Sequence, residues 1–367
     1  MTGNAYKFVG CLLIVFSGFY ITKLPFSPIY IFFLLGALLL FITTIIKFHS
    51  VKIDHITIIP LILLVYLSTS QSFLNPNLSS FVGYTLSICY IIFGVMVLNR
   101  LKFYDVIKLA NYFIIASLII LTIDLIYRLI FPVPVIHPTR GDITHEGINW
   151  IYSYKLNSIM FLDTNFLGLL ILSVLFLNLY LSKVTGVKRK WLNLLCIILL
   201  VSTFSRAAWL AAIISFIFIK YVKKITVTNV LIFGILFTIA SSLFIAFYAN
   251  DSSFLSKFEI FFRAYDYAKV MPLSTWIFGH GLGNSEEYLN IGAHNYLLTM
   301  FLETGLIGFI LSALIWITFV HKTGIKSFYI AMPFFIATLS AFTHAVPYVF
   351  VSLCIVYELE KQTKLAK

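Results

Sequence analysis

Long apolar blocks alternate with short polar segments along the whole chain. The blocks are rich in Leu, Ile and Phe. They run about 15–25 residues, close to the roughly 20 that a helix needs to cross a hydrocarbon core about 30 Å thick. The pairs at 191–221 and 328–357 are short, so each can be two spans or one broken helix. The pattern therefore predicts about ten to twelve helices, near 8–22, 28–46, 56–74, 80–98, 107–131, 157–181, 191–204, 207–221, 228–249, 295–319, 328–342 and 345–357.

Composition agrees with this pattern. Apolar residues make up 60% of the chain and charged residues only 11%, whereas soluble domains carry roughly 25% charged residues. No internal repeat or soluble module interrupts the blocks. We therefore predict an all-α polytopic membrane protein in which residues 1–367 form a single integral membrane domain.

The net charge of +12 comes from basic residues in the short loops. Such placement is typical of the positive-inside rule rather than of nucleic-acid binding, so we expect the lipid bilayer and no nucleic acid as a partner. With the N-terminus inside, 18 of the 26 basic residues fall on the inner side, and both termini are predicted to be cytoplasmic. The inner set is Lys7, Lys47, Lys52, Arg100, Lys102, Lys108, Lys183, Lys188, Arg189, Lys190, Lys220, Lys223, Lys224, Lys322, Lys326, Lys361, Lys364 and Lys367.

Two segments on the predicted outer face are longer than a turn, one at about 132–155 and one at about 250–293. Loops longer than about 12–15 residues are usually functional or disordered. Both segments carry aromatic residues and paired charges, so we expect them to be ordered. The outer face is therefore the predicted location of a functional site.

Ionisable and amide side chains near the outer ends of the helices are the candidates for that site, because such groups at membrane depth are costly and usually face a cavity or a partner. Arginine side chains bind phosphate oxygens with two parallel hydrogen bonds. A histidine that titrates near neutrality can accept a proton from a hydroxyl group. The candidates are Asp163, Asn165, Arg206, Arg263, His294, Asn295 and Glu303.

Each candidate also has a purely structural explanation. Arg206 can extend to the membrane interface, and Arg263 can pair with Glu259 or Asp266 on a surface helix. Glu303 can be a buried hydrogen-bonding group. Capping or bending of a helix is the alternative for the remaining four, Asp163, Asn165, His294 and Asn295.

Two arginines and one histidine beside apolar walls suit a lipid-linked anion. The sequence contains no Asp-x-Asp pair, no clustered His/Asp/Glu motif and no P-loop, which are the usual motifs for a metal or a nucleotide. We therefore expect no metal and no cofactor.

Four segments, in this order, resemble the O-antigen polymerase and O-antigen ligase superfamily. The resemblance covers roughly residues 150–320, and residues 1–130 match only in hydropathy. The segments are Asp163-Thr164-Asn165-Phe166-Leu167-Gly168, Thr203-Phe204-Ser205-Arg206-Ala207-Ala208, Phe278-Gly279-His280-Gly281-Leu282-Gly283, and the run from His294-Asn295-Tyr296 to Glu303-Thr304-Gly305.

The resemblance implies a GT-C-like membrane glycosyltransferase of the bacterial inner membrane. It would act at the periplasmic face on glycans linked to undecaprenyl diphosphate, without metal or nucleotide sugar. Arg206 and Arg263 would bind the donor diphosphate and stabilise it as a leaving group. His294 would orient or deprotonate the attacking hydroxyl, with inversion at the anomeric carbon. Further substrate contacts are expected from Asn165, Asn295 and Glu303.

Within this superfamily, polymerase and ligase differ in the acceptor. A polymerase transfers the glycan to another undecaprenyl-linked repeat unit, and a ligase transfers it to a lipid A core sugar. The compact length, short loops and aromatic composition favour polymerase, for which a chain-length regulator and a flippase are the expected partners. The outer segment at 250–293 is shorter than in many relatives, so the acceptor platform is expected to be reduced or shared with 132–155.

A transporter is the alternative from another class. A carrier is expected to have discontinuous helices with polar groups near the bilayer midplane. In the first half of the chain, the main such charge is Asp124, and Arg128 lies one turn away and can pair with it. The other polar candidates cluster toward the outer face, which favours an interfacial enzyme.

Overall fold

The computed structural model describes residues 2–46, 54–132, 154–155, 157–161, 163–222 and 252–366. Helices account for 80% of the structure. Fourteen α-helices lie within the described ranges: α1 (Thr2–Ile14), α2 (Pro28–Ile46), α3 (Ile58–Leu74), α4 (Leu78–Leu98), α5 (Phe103–Ile130), α6 (Thr164–Thr185), α7 (Lys190–Val201), α8 (Arg206–Tyr221), α9 (Ser252–Val270), α10 (Leu273–Phe278), α11 (Ser285–Leu289), α12 (Tyr296–Thr323), α13 (Phe328–Ala337) and α14 (Pro347–Leu365).

The outward faces of several helices carry large apolar side chains. Leu34 on α2 is 67% exposed, and Val65 on α3 is 65% exposed, which suits contact with lipid rather than water. Five helical stretches are long and apolar enough to cross a membrane: His55–Leu74, Leu78–Leu98, Phe103–Ile130, Thr164–Thr185 and Tyr296–Ala337. The prediction of an all-α membrane protein is therefore confirmed, while the exact number of spans stays a prediction.

Several predicted boundaries were wrong. The first helix was expected at 8–22, but α1 ends at Ile14 and a 3₁₀ turn follows at Val15–Gly18. The predicted helix at 157–181 begins only at Thr164, because the Asp163 carboxylate accepts a hydrogen bond from the backbone of the first turn and caps it there. Near the C-terminus, the helix that was predicted to end at 342 ends at Ala337, and the last helix continues to residue 365 instead of ending at 357.

The remaining predictions concern the helix at 228–249 and the two long loop segments. The predicted helix at 228–249 and most of the 132–155 segment lie outside the described residues. The 250–293 segment contains the helices α9, α10 and α11, so its described part is helical. Among these helices, α10 and α11 pack against α12, and α9 packs against α11.

The centre of the bundle is formed by α6 and α14. An unbroken run from Pro347 to Leu359 is buried on α14, which packs against α4, α5 and α6. The helices α8 and α13 pack against each other, and α13 also packs on α6. Burial on all sides requires helices that are apolar all round, and this explains their nearly continuous hydrophobic sequence.

Both chain ends lie at the same end of the bundle. Near the N-terminus, the Lys7 ammonium contacts the Asp105 carboxylate at 2.8 Å. Near the C-terminus, the Gln362 amide donates to the carbonyl of Leu101 at 2.9 Å. Since Leu101 and Asp105 lie on either side of the start of α5, the two termini face the same side. The assignment of that side to the cytoplasm remains a prediction from the loop charges.

The helix α12 is broken at Gly305, which has φ 64° and ψ −173°. The break leaves the carbonyls of the preceding turn without helical partners. The backbone N–H groups of His280 and Gly281 donate to the carbonyls of residues 302 and 303, each at 3.0 Å, and the Tyr66 hydroxyl donates to the Thr304 carbonyl at 2.7 Å. The glycine-rich segment at 278–283 therefore satisfies the backbone at the break.

Gly305→Ala is expected to destabilise the protein more than Gly324→Ala. Both glycines have positive φ, so alanine at either position costs about 1–2 kcal/mol. A Cβ atom at Gly305 would also overlap the Ile277 carbonyl and lie 2.6 Å from the Gly279 nitrogen, whereas at Gly324 it would meet nothing within 4 Å. Thermal unfolding of both variants in detergent measures the difference. Equal losses would contradict the close backbone approach at Gly305.

Candidate functional site

Three of the four segments that carry the family resemblance meet at the start of α6, and the fourth, 278–283, contacts the break in α12. The Thr164 hydroxyl donates to the Thr203 carbonyl at 2.8 Å, which joins the start of α6 to the α7–α8 turn. A Cβ atom on Gly168 would lie 2.7 Å from the Ala208 Cβ, so α6 and α8 approach closely there. The ring of His294 lies edge-on to Phe166, with centroids 6.4 Å apart.

Carbonyl groups of residues 338–340 organise the other side of this cluster. They accept hydrogen bonds from the Tyr296 backbone N–H at 3.1 Å, the Asn295 side-chain amide at 3.5 Å and the Lys257 ammonium at 3.3 Å. Residues 338–340 follow α13, where the chain has left the helical conformation and its carbonyls are free to accept. The segment therefore joins α9 to the start of α12.

Asn295 caps α12. Its side-chain oxygen accepts a hydrogen bond from the Leu298 backbone N–H at 3.1 Å. The first turn of a helix presents partial positive charge, and here that turn begins directly after His294. The structural explanation for Asn295 is therefore observed, and the cap also fixes His294 at the positive end of the half-helix that precedes the break.

The start of α6 contributes two further polar groups. Asp163 caps the helix by accepting from the Asn165 backbone N–H at 2.8 Å, and its second oxygen accepts from the Asn165 side chain at 2.9 Å. The Asn165 oxygen in turn accepts from the Lys155 ammonium at 3.4 Å. Asn165 is thus held with its oxygen facing a cation, in the part of the chain next to Phe166 and the His294 ring.

Lys257 is the charged group with the largest influence on the pKa of His294. Crowding by protein atoms lowers the pKa of His294, the positive charge of Lys257 lowers it further, and Asp163 and Glu286 act in the opposite direction. The lowered pKa leaves the imidazole neutral at pH 7, where it can accept a proton or a hydrogen bond. Activity that needs this neutral form is lost as the pH falls through the lowered pKa.

Lys257 is a half-buried member of the cluster that sequence reasoning missed. Burial lowers the pKa of its ammonium, the charge of Asp163 raises it, and the charge of Lys155 lowers it. The sequence signal was weak, since Lys257 is one of several basic residues in the 250–293 segment and lies 37 positions before His294. Only the fold brings the two side chains together.

Arg206 is the first residue of α8 and is exposed. Ser205 caps this helix by accepting from the Ala208 backbone N–H at 3.4 Å, and Ala208 is the residue that packs on Gly168. The backbone of Arg206 is therefore fixed beside the first turns of α6. Its long side chain extends from the same end of the bundle as Asp163 and Asn165.

Arg263 is engaged elsewhere. Its guanidinium donates twice to the Glu259 carboxylate, at 3.0 and 2.6 Å, and once to the Leu289 carbonyl at 2.9 Å. The structural pairing with Glu259 considered for this residue is therefore observed within α9, and the hydrogen bond to Leu289 joins α9 to α11. Among the contacts of the described residues, none joins Arg263 to His294.

Glu303 is almost completely buried, at 1% exposure. Its carboxylate contacts the His344 ring and the Ser285 hydroxyl. The expectation of a buried hydrogen-bonding group is therefore observed. Neither His344 nor Ser285 was a sequence candidate, because each is separated from Glu303 by many positions and carries no motif of its own.

An apolar groove runs along α12 next to this cluster. It encloses 320 Å³ and is lined almost entirely by apolar surface, as is usual for sites that hold a hydrophobic ligand. The Tyr296 hydroxyl accepts a hydrogen bond from the Trp316 indole at 3.1 Å within this groove, and Tyr296 directly follows Asn295 in the sequence. The lining residues are Tyr296, Leu297, Met300, Phe309, Ser312, Ala313, Trp316, Ile317, Val320 and Phe335.

Within the described ranges, no three His, Cys, Asp or Glu side chains come together as a metal site. Comparison with known proteins finds no matching family model and no matching curated protein. The fold and the site define an all-α membrane protein with a cationic and histidine-bearing cluster at one end of its helices. Membership of the polymerase and ligase superfamily remains an inference from the sequence motifs.

Proposed function

We propose that this chain is a membrane glycosyltransferase of the polysaccharide polymerase type. It transfers a glycan from undecaprenyl diphosphate to a hydroxyl group of a second lipid-linked repeat unit. The reaction takes place at the outer face of the bacterial inner membrane, without metal and with inversion at the anomeric carbon. The observation that carries this proposal is the set of contacts that link the four motif segments, although they are far apart in sequence: 163–168 contacts both 203–208 and His294, and 278–283 contacts residues 302 and 303 of the last motif.

The charges of the cluster support an anionic donor. Arg206 and Lys257 supply positive charge, and the α12 N-terminus adds a partial positive charge. Arg263 contributes less because it is already paired with Glu259. Developing charge on a leaving diphosphate is stabilised by such preorganised groups. In this proposal His294 orients the acceptor hydroxyl or takes its proton, Asn165 contacts the substrate, and Asn295 and Glu303 hold the surrounding segments in place.

The groove along α12 supports a lipid-linked substrate. Its apolar lining suits an isoprenoid chain, and it includes Tyr296 and Leu297 of the turn that follows His294 and Asn295. A lipid whose chain lies in the groove therefore presents its diphosphate to the cationic cluster.

A test of this proposal uses a deletion strain complemented with the wild-type chain, Lys257→Gln or Arg263→Gln, followed by gel analysis of surface glycan. We expect the wild type to restore the ladder of long chains and Lys257→Gln to lose it, since removing one charge-stabilising group costs about 10²–10³ in rate. Arg263→Gln removes a charge that Glu259 already pairs, so we expect a smaller loss.

The deletion strain itself gives the decisive pattern. Core carrying a single repeat unit in the deletion indicates a polymerase, whereas bare core with accumulated lipid-linked polymer indicates a ligase. An unchanged ladder contradicts both and leaves the transporter as the remaining class. If Arg263→Gln loses the ladder while Lys257→Gln keeps it, the assignment of Lys257 to the donor site is wrong.

A further inference from the structure

A buried carboxylate and a partly exposed imidazole form a hydrogen-bonded pair next to the break in α12. The Glu303 Oε2 lies 2.6 Å from the His344 Nε2, and the Glu303 Oε1 accepts from the Ser285 hydroxyl at 2.7 Å. Glu303 is 1% exposed, whereas the side chain of His344 is 17% exposed. Both carboxylate oxygens are therefore occupied, and the imidazole forms the accessible side of the pair.

This geometry fixes which ring nitrogen of His344 is available. A carboxylate beside Nε2 favours the tautomer that carries its proton there, which leaves Nδ1 as the acceptor. In the described part of the chain, no hydrogen bond engages Nδ1. The buried negative charge also stabilises the imidazolium that forms when Nδ1 takes up a proton, the role that a carboxylate has in catalytic triads.

His344 is connected to the segment that carries His294. The ring of His344 lies 5.3 Å from the ring of Phe342, and Phe342 lies 5.1 Å from Tyr296, which is two residues after His294. The two histidines differ in their charged neighbours. Lys257 is the principal charged influence on His294, whereas His344 is paired with the Glu303 carboxylate.

We propose that His344, positioned by Glu303, is the general base that takes the proton from the acceptor hydroxyl. This inference rests on the proposed function and leaves to His294 the orientation of the substrates. The acceptor oxygen forms a bond to the anomeric carbon as its proton passes to Nδ1 of His344. The anomeric C–O bond to the diphosphate breaks, and the diphosphate leaves with the electron pair. The imidazolium then releases its proton to water.

The test is chemical rescue with purified protein and a lipid-linked repeat unit. We expect His344→Ala to lower the transfer rate about 10²–10⁴-fold, the range for loss of a general base, and added imidazole to restore part of it. His344→Gln preserves a donor to Glu303 but cannot take a proton, so it is expected to be equally slow and as stable as wild type. His321 lies in the last turn of α12, away from Glu303, so His321→Ala is the control for unspecific effects of imidazole.

The outcomes separate this inference from the proposed function. A wild-type chain that transfers no glycan contradicts the proposed function, and the role of His344 with it. Full activity of His344→Ala or His344→Gln contradicts only the role of His344. Loss of activity without imidazole rescue, together with a lowered unfolding temperature in both His344 variants, shows that the pair is structural and overturns the inference.

Discussion

Replacement of Arg206 or His294 by alanine is expected to abolish long surface glycan while the chain still inserts into the membrane. Loss of a charge-stabilising group at Arg206 costs about 10²–10³ in rate, and loss of substrate orientation at His294 costs about 10²-fold. Complementation of a deletion strain, with gel analysis of the glycan and detection of the protein in membranes, measures both effects.

The same assay contains its own control. Trp191→Ala changes an exposed side chain at the start of α7, at the other end of the bundle, and is expected to leave the glycan ladder intact. Retention of long glycan by both the Arg206 and the His294 variants would remove these residues from the mechanism. Loss of membrane protein in either variant would show instead that the residue supports the fold.

Asp124→Ala or Arg128→Ala is expected to destabilise the protein by about 3–5 kcal/mol, because either change leaves an uncompensated buried charge. The Asp124 and Arg128 side chains are 0% and 1% exposed and lie 2.7 Å apart. The other carboxylate oxygen accepts from the Ser158 hydroxyl and the Ile159 backbone N–H, at 2.7 and 2.8 Å. Arg128 also donates to the Ser202 carbonyl at 3.2 Å.

Thermal unfolding in detergent provides the measurement. The double variant Asp124→Leu/Arg128→Met removes both charges, so it is expected to lose much less stability than the sum of the single variants. Asp266→Ala breaks the exposed pair with Lys269 and is the matched control, with an expected change within about 0.5 kcal/mol. Wild-type stability of Asp124→Ala would contradict a structural role for the pair.

The hydrogen bonds of Asp124 and Arg128 also provide evidence on the transporter alternative. An ion-coupled carrier needs a charged group that can exchange partners at membrane depth. In the described structure, Asp124 and Arg128 are instead joined to residues 158–159 and to the α7–α8 turn. These contacts position the segments that precede Asp163 and Arg206, so the arrangement favours a structural role for the pair.

Ion pairs between residues four positions apart could be predicted from the sequence. The Asp124–Arg128 pairing was predicted from a four-residue spacing and is confirmed. The structural alternative for Arg263, pairing with Glu259 at the same spacing, is also observed. Helical geometry places such side chains on one face whatever the rest of the fold does, so the sequence alone identifies them.

The break in α12 was not predicted. Gly305 was part of a recognised motif, yet a glycine inside an apolar block is equally compatible with a continuous helix. The break depends on donors that arrive from the glycine-rich segment at 278–283 and from Tyr66 on α3. Because those donors are distant in sequence, the local pattern contains no information about them.

The sequence by itself determined the all-α membrane class and the candidate residues at the outer ends of the helices. Hydrophobic length sets the class, because every backbone polar group within a membrane must be satisfied inside its own helix. Only the tertiary structure decided which candidates meet. It brought Lys257 and Asn295 to the same 338–340 segment and placed His344 against Glu303, because contacts between distant segments depend on how the helices pack rather than on any spacing along the chain.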